Sequence, residues 1–140
     1  MSVLVLDCSV TMAWCFEDEC DPLADAVLDV VGDMDVWVPS LWPIEVANVL
    51  LVAERRKRLT SADSARFIEL LARLPILVDG AGHERALGPV IAKGRELGLS
   101  AYDACYVDLA ERRGATLATR DKKLMKVCRG AGINLFEKPS

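Results

Sequence analysis

Four acidic residues stand where folding could gather them: Asp7, Glu45, Asp103 and Asp121. Asp7 interrupts an apolar run that begins at Val3, and Glu45 falls in the first turn of a helix that follows a second strand. Asp103 falls in the first turn of a helix opened by Ser100, and Asp121 directly follows a fourth strand. If those strands run parallel, all four carboxylates approach one edge of the sheet, beyond the carboxyl ends of the strands, where ligands of such sheets bind. Carboxylates sharing a pocket repel, so they must protonate, stay apart or bind a cation. Oxygen donors without His or Cys suit Mg2+ or Mn2+. An ion so held polarises a phosphoryl oxygen and activates water, the chemistry of phosphodiester hydrolysis. Structural roles stay open beside this one. Acids in a helix first turn complement its dipole. Asp103 could complete a capping box with Ser100, Glu45 could serve the dipole alone, and Asp121 could be an ordinary first-turn acid.

Other chemistries are poorly supplied. His83, after a Gly-rich turn, is the only histidine, so a Ser-His-Asp or Cys-His mechanism has one candidate and a His-rich metal site has none. The five cysteines, at 8, 15, 20, 105 and 128, form no C-x-x-C pair, which argues against a disulfide framework or thiolate zinc site and fits a reducing compartment. Gly80-Ala-Gly82 and Gly130-Ala-Gly132 lack the third glycine of a dinucleotide loop, with Arg85 and Leu135 in its place, and no P-loop occurs.

The elements that must position the acids follow from apolar spacing and stop signals. A first strand is expected over Val3–Cys8 and a short helix over Ser9–Phe16. Asp21-Pro22 opens a helix that Gly32 stops, and Val36–Val38 is a second strand ended by Pro39. A helix runs from about Pro43 to Arg58, and Thr60-x-x-Asp63 opens another that ends before Pro75. Ile76–Val78 is a third strand, followed by a helix from about His83 to Leu97 that is interrupted or restarted at Gly88-Pro89. The helix from Ser100 closes at Gly114. Ala115–Ala118 is a fourth strand, Lys122–Cys128 a last helix and Ile133–Phe136 a final strand. Alternating strands and helices predict one α/β/α sandwich over residues 1–140 around a mainly parallel sheet.

With 140 residues, 52% of them hydrophobic, the chain can bury a real core and is not disordered. Its longest apolar candidate, Val46–Ala53, contains Asn48 and stops at Glu54, so a soluble, cytoplasmic domain without a membrane span or signal segment is expected. The net charge of −4 is unevenly placed. Residues 1–35 carry nine acids and no Lys or Arg, against Arg55-Arg56-Lys57-Arg58 and a second strip from Arg112 to Arg129 that includes Arg120, Lys122 and Lys123. Such strips are either solvated helix ends or grips for a phosphate backbone. Trp14, Trp37 and Trp42 suit a core, although some of them could line a partner groove.

Taken in order, four stretches resemble the PIN-domain ribonucleases, and within them the VapC toxins of bacterial toxin–antitoxin pairs. Asp7-Cys-Ser9-Val10 with Trp14 and Glu17-Asp18-Glu19 resembles the opening motif, and Pro39-Ser-Leu-Trp42-Pro-Ile-Glu45-Val-Ala-Asn48 the second. Leu99-Ser-Ala-Tyr102-Asp103-Ala104 resembles the third, and Ala118-Thr119-Arg120-Asp121 with Leu124 the fourth. The resemblance implies Mg2+ or Mn2+ bound through Asp7, Glu45, Asp103 and Asp121, with Ser9 and Thr119 orienting ligands. It implies endonucleolytic cleavage of RNA by metal-activated water, a homodimer, and inhibition by a VapB-like antitoxin. The antitoxin's C-terminal segment is expected across a groove lined by some of Met12, Trp14, Phe16 and Trp42, presenting Arg or Lys to the acids. Two residues depart from the family pattern. Cys8 replaces another small residue, and Arg120 stands where an apolar residue is usual, close enough in sequence to pair with Asp121. Two rival readings are a PIN-like module that binds RNA or protein without cutting, and an aspartyl-phosphate phosphatase. The second rests on Asp7-Cys-Ser9-Val-Thr11, in which Ser9 stands for the second Asp of D-x-D-x-T.

Overall fold

Leu4, Val5 and Leu6 are fully buried, as a central strand covered on both faces requires. They belong to β1 (Val3–Leu6) of a computed structural model that describes residues 2–137. β1 pairs in parallel with β2 (Asp35–Pro39) and β4 (Thr116–Ala118), and β2 pairs in parallel with β3 (Ile76–Asp79). The order β3-β2-β1-β4 is therefore wholly parallel, and every connection is a helical crossover.

The helices are α1 (Cys8–Cys15), α2 (Pro22–Val30), α3 (Trp42–Arg55), α4 (Ser61–Arg73), α5 (Gly82–Arg85), α6 (Ile91–Leu97), α7 (Ala101–Arg113) and α8 (Lys122–Ala131). A 3-10 turn spans Glu17–Glu19. Local chemistry sets the ends. Asp21 caps α2 ahead of Pro22, and Gly114 and Gly132 close α7 and α8 in the left-handed conformation that spares glycine a Cβ clash. Thr60 and Asp63 form a reciprocal capping box at the start of α4.

Three expectations need correction. The first strand stops at Leu6, because Asp7 caps α1 and Cys8 is already helical. The helix expected to reach Arg58 ends at Arg55, and Lys57 turns the chain with φ of +60°. Among the described residues Ile133–Phe136 forms no strand. It contributes one bridge, Leu135 to Leu117, with two backbone hydrogen bonds of 2.9 Å. The interruption near Gly88-Pro89 is a π-helical turn, Ala86–Val90, that absorbs the amide missing from Pro89.

A buried ionic cluster ties α7 to the sheet. Asp79, at the end of β3, lies 2.7 Å from Arg112 and 3.1 Å from Arg113, and Asp108 lies 2.8 Å from Arg85 and 3.1 Å from Arg112. The Arg113 guanidinium also stacks 3.4 Å from the centre of the Trp37 ring. The Arg112 hydrogen bond, helped by Arg113 and opposed by burial, holds the Asp79 carboxyl below its ordinary range. A depressed carboxyl stabilises the fold above its unfolded pKa of about 3.9 and loses that contribution as pH falls through the lower folded value. Asp79→Asn is therefore expected to lower stability by about 2–3 kcal/mol at pH 7, less than a fully enclosed pair because both arginines reach solvent. Denaturant titrations of both proteins should show the gap narrowing as acid protonates Asp79.

Candidate active site

Asp7 occupies the point where β1 gives way to α1, and its extended backbone lets it cap the helix. One carboxylate oxygen accepts the Ser9 amide at 2.5 Å, and the other accepts the Thr119 hydroxyl at 2.7 Å. Thr119, just past β4, in turn accepts the Asp121 amide at 3.1 Å, and the Ser9 hydroxyl accepts the Arg120 amide at 3.0 Å. These bonds stitch the carboxyl ends of the adjacent strands β1 and β4 together. Asp121 caps α8 through one oxygen, Oδ1, which accepts the amides of Lys123 and Leu124 at 2.9 and 3.1 Å.

Glu45 enters from the first turn of α3, with Oε1 accepting the Tyr106 hydroxyl at 2.5 Å. Asp103 enters from the first turn of α7. Ser100 caps that helix by accepting the Asp103 amide at 3.1 Å, but the Asp103 carboxylate accepts no hydrogen bond among the described residues. The capping box open to it from spacing is therefore only half formed.

Asp7, Glu45 and Asp103 each sense the charge of other acids in the set. Burial raises the Asp7 pKa, with Thr119 and Ser9 opposing it and the Asp121 charge adding to it. Burial likewise raises Glu45, against the Tyr106 hydrogen bond and with Asp7 and Asp103 adding. Asp103 is raised by burial and then by Asp121 and Asp7, with Lys123 opposing. The Cys8 thiol, pushed up to about 12 by burial and by Glu45 and Asp7, stays protonated and is a poor ligand. Among the described residues no three acid, Cys or His side chains are gathered closely enough to hold a metal ion as they stand. The four acids offer oxygen donors only, the type of ligand that Mg2+ takes.

Arg120 does not reach for Asp121. Its guanidinium turns to Asp21 at 2.6 Å and Glu19 at 3.4 Å. Glu19 also meets Arg58 at 3.5 Å, and Arg58 pairs with Asp18 at 3.2 Å over the Phe16 ring, so the acidic turn already engages two of the expected phosphate grips. Arg55, Arg56, Lys57, Lys122 and Lys123 are exposed. The groove expected from Met12, Trp14, Phe16 and Trp42 is not built as such. Met12 is buried in the core, and the Trp14 indole donates to the Ala24 carbonyl at 2.8 Å. Two grooves flank α4 instead, one of about 700 Å3 reaching Phe16 and one of about 380 Å3 reaching Trp42. Tyr106 was missed in the sequence, although its place three residues after Asp103 puts both on one face of α7.

A sequence profile of the PIN domain matches residues 4–130. The chain belongs to the PIN-domain family. Its fold is similar to that of PAE2754 from Pyrobaculum aerophilum, at 22% identity and a TM-score of 0.66 over 90% of this chain and 84% of that one. It is also similar to VapBC2 from Rickettsia felis bound to a promoter DNA fragment, at 16% identity and a TM-score of 0.67 over 96% and 97%. FitAcB from Neisseria gonorrhoeae gives 18% and 0.64 over 96% and 97%. No curated protein matches in sequence.

In this PIN domain the crowding has a measurable sign. An acid whose folded pKa is raised destabilises the fold above that value, and the cost vanishes below the unfolded value of about 3.9. Asp103→Asn is expected to be more stable than the wild type in EDTA at pH 7 and no more stable at pH 3.5. A carboxylate that only served the helix dipole would instead lose about 0.3–1 kcal/mol on substitution. Thermal unfolding at both pH values reads the difference.

Proposed function

We propose that this PIN domain is a Mg2+- or Mn2+-dependent endoribonuclease acting as the toxin of a VapBC-type pair. The observation that carries the reading is electrostatic. Asp7, Glu45 and Asp103 all have raised pKa values around one end of the sheet, and no guanidinium among the described residues pairs with them. Asp7, Glu45, Asp103 and Asp121 would hold the ion. Bound there, it would supply charge to polarise a phosphoryl oxygen and acidify a water. Ser9 and Thr119 orient Asp7, and the Asp121 cap bonds leave Oδ2 free of hydrogen bonds among the described residues. The phosphatase alternative has no second carboxylate at position 9, where the Ser9 hydroxyl accepts a backbone amide.

The antitoxin reading draws on the VapBC2 and FitAcB neighbours. The apolar groove between α3 and α4, with Trp42, Val46, Leu50 and Leu71 on its walls, would take an apolar antitoxin segment, which would present a basic side chain to the acids. The edge strand β3, with Leu77 and Val78 exposed on its opposite faces, would be where a second copy docks in the homodimer. No helix of the described residues is long and apolar enough to cross a membrane.

An RNA panel incubated with Mg2+, Mn2+ or EDTA tests the function. Cleavage is expected only with metal, and Asp7→Asn should reduce it to background. Mn2+ at a hundredfold excess over Kd should stabilise the wild type by about 2.7 kcal/mol and Asp7→Asn much less. RNA retained but never cut would return the protein to a binding module.

Arg55, Arg56, Lys57, Lys122 and Lys123 remain as phosphate grips. RNA affinity of Asp7→Asn should fall with salt at a log–log slope of about −0.7 per phosphate neutralised. Replacing one gripping lysine by Ala should flatten the slope by about that amount. A salt-independent affinity would leave these residues as solvated surface.

A further inference from the structure

Tyr106 is 2% exposed, and its hydroxyl needs a partner inside the protein. That partner is Glu45 Oε1 at 2.5 Å, across the gap between α7 and α3. Each acid of the pocket is constrained differently. Asp7 is held by Ser9 and Thr119, Asp121 by its own helix, and Asp103 by no hydrogen bond among the described residues. Glu45, with one more rotatable bond than an aspartate, is held by Tyr106 alone among the hydrogen bonds of the described residues.

We infer that Tyr106 is a positioning residue that makes Glu45 a one-oxygen ligand, and so biases the pocket toward Mg2+ and Mn2+ over Ca2+. The inference rests on the metal-dependent reading above. A carboxylate oxygen that accepts a short hydrogen bond has given one of its two lone pairs to that bond and is the weaker remaining donor, which makes Oε2 the better ligand atom of Glu45 and disfavours a two-oxygen grip. Ca2+ favours high coordination and often takes both oxygens of a carboxylate, whereas Mg2+ is octahedral and takes one oxygen from each of a few carboxylates. A phenol is a hydrogen-bond donor at neutral pH, so the Tyr106 hydroxyl donates to Glu45.

Calorimetric titration of the full chain with Mn2+ and with Ca2+ tests this. Tyr106→Phe keeps the ring and removes only the hydroxyl. It should reduce the Mn2+ over Ca2+ preference at least fivefold, and should change nothing further in a Glu45→Gln background. A preference within twofold of wild type, or the same shift in both backgrounds, overturns the inference. Glu45→Gln supplies a check that does not depend on how well Tyr106→Phe folds. With Tyr106 donating to the amide oxygen, the amide nitrogen, which is no ligand, takes the place of Oε2, so Mn2+ affinity should fall close to that of Glu45→Ala. Affinity retained in Glu45→Gln but lost in Glu45→Ala overturns it. A wild type that binds neither ion overturns the metal reading together with the inference, whereas normal binding with an unchanged preference in Tyr106→Phe overturns the inference alone.

Discussion

The carboxylate of Asp7 sits buried at the end of the central strand, with an amide and a hydroxyl as hydrogen-bond donors and no ion pair to Lys or Arg among the described residues. A buried charge compensated only by neutral donors is costly, and its neighbourhood must be arranged around it. Thr119 supplies one donor, which requires β4 to lie next to β1 in register, and the same hydroxyl takes the Asp121 amide. Ser9 supplies the other donor and receives the Arg120 amide. The placement of the fourth acid therefore follows from the way the first is satisfied.

Asp79 shows the other solution to the same problem. It too ends a parallel strand and is buried, but Arg112 and Arg113 meet it and depress its pKa, whereas that of Asp7 is raised. Both arginines come from the last turn of α7, and Asp103 comes from its first turn. One helix thus neutralises an acid at one end and adds a repelling one at the other. The ionic cluster anchors α7, and the acidic edge keeps the repulsion that raises Asp103.

Thr60-x-x-Asp63 and Ser100-x-x-Asp103 are near-identical in sequence, yet only the first closes its capping box. Asp63 bonds back to Thr60, and that bond lowers its pKa. Asp103 faces the burial and charge of Asp7 and Asp121, and its pKa rises. The motif selects a helix start. Whether its acid serves the helix or the pocket depends on what the tertiary structure places opposite.

Much of the architecture was legible along the chain, because its signals are local. The apolar run before Asp7, Pro22 after Asp21, the Thr60 box and the glycines at 114 and 132 act within a turn or two of themselves. The strand-helix alternation fixed a parallel sheet, and a parallel sheet brings the four acids to one edge. What was not legible involves partners distant in sequence. Ile133–Phe136 has strand character, but one bridge to β4 is all it finds. Arg120 stands beside Asp121 in sequence, yet it pairs with Asp21, 99 residues away. Tyr106 finds Glu45 61 residues away, and the expected aromatic groove gave way because Met12 and Trp14 were needed by the core and by α2. Residue types and spacing determined which groups were present and on which elements. Only the packing of those elements decided which charges met a partner and which did not, because Coulomb interaction and burial depend on distance in space.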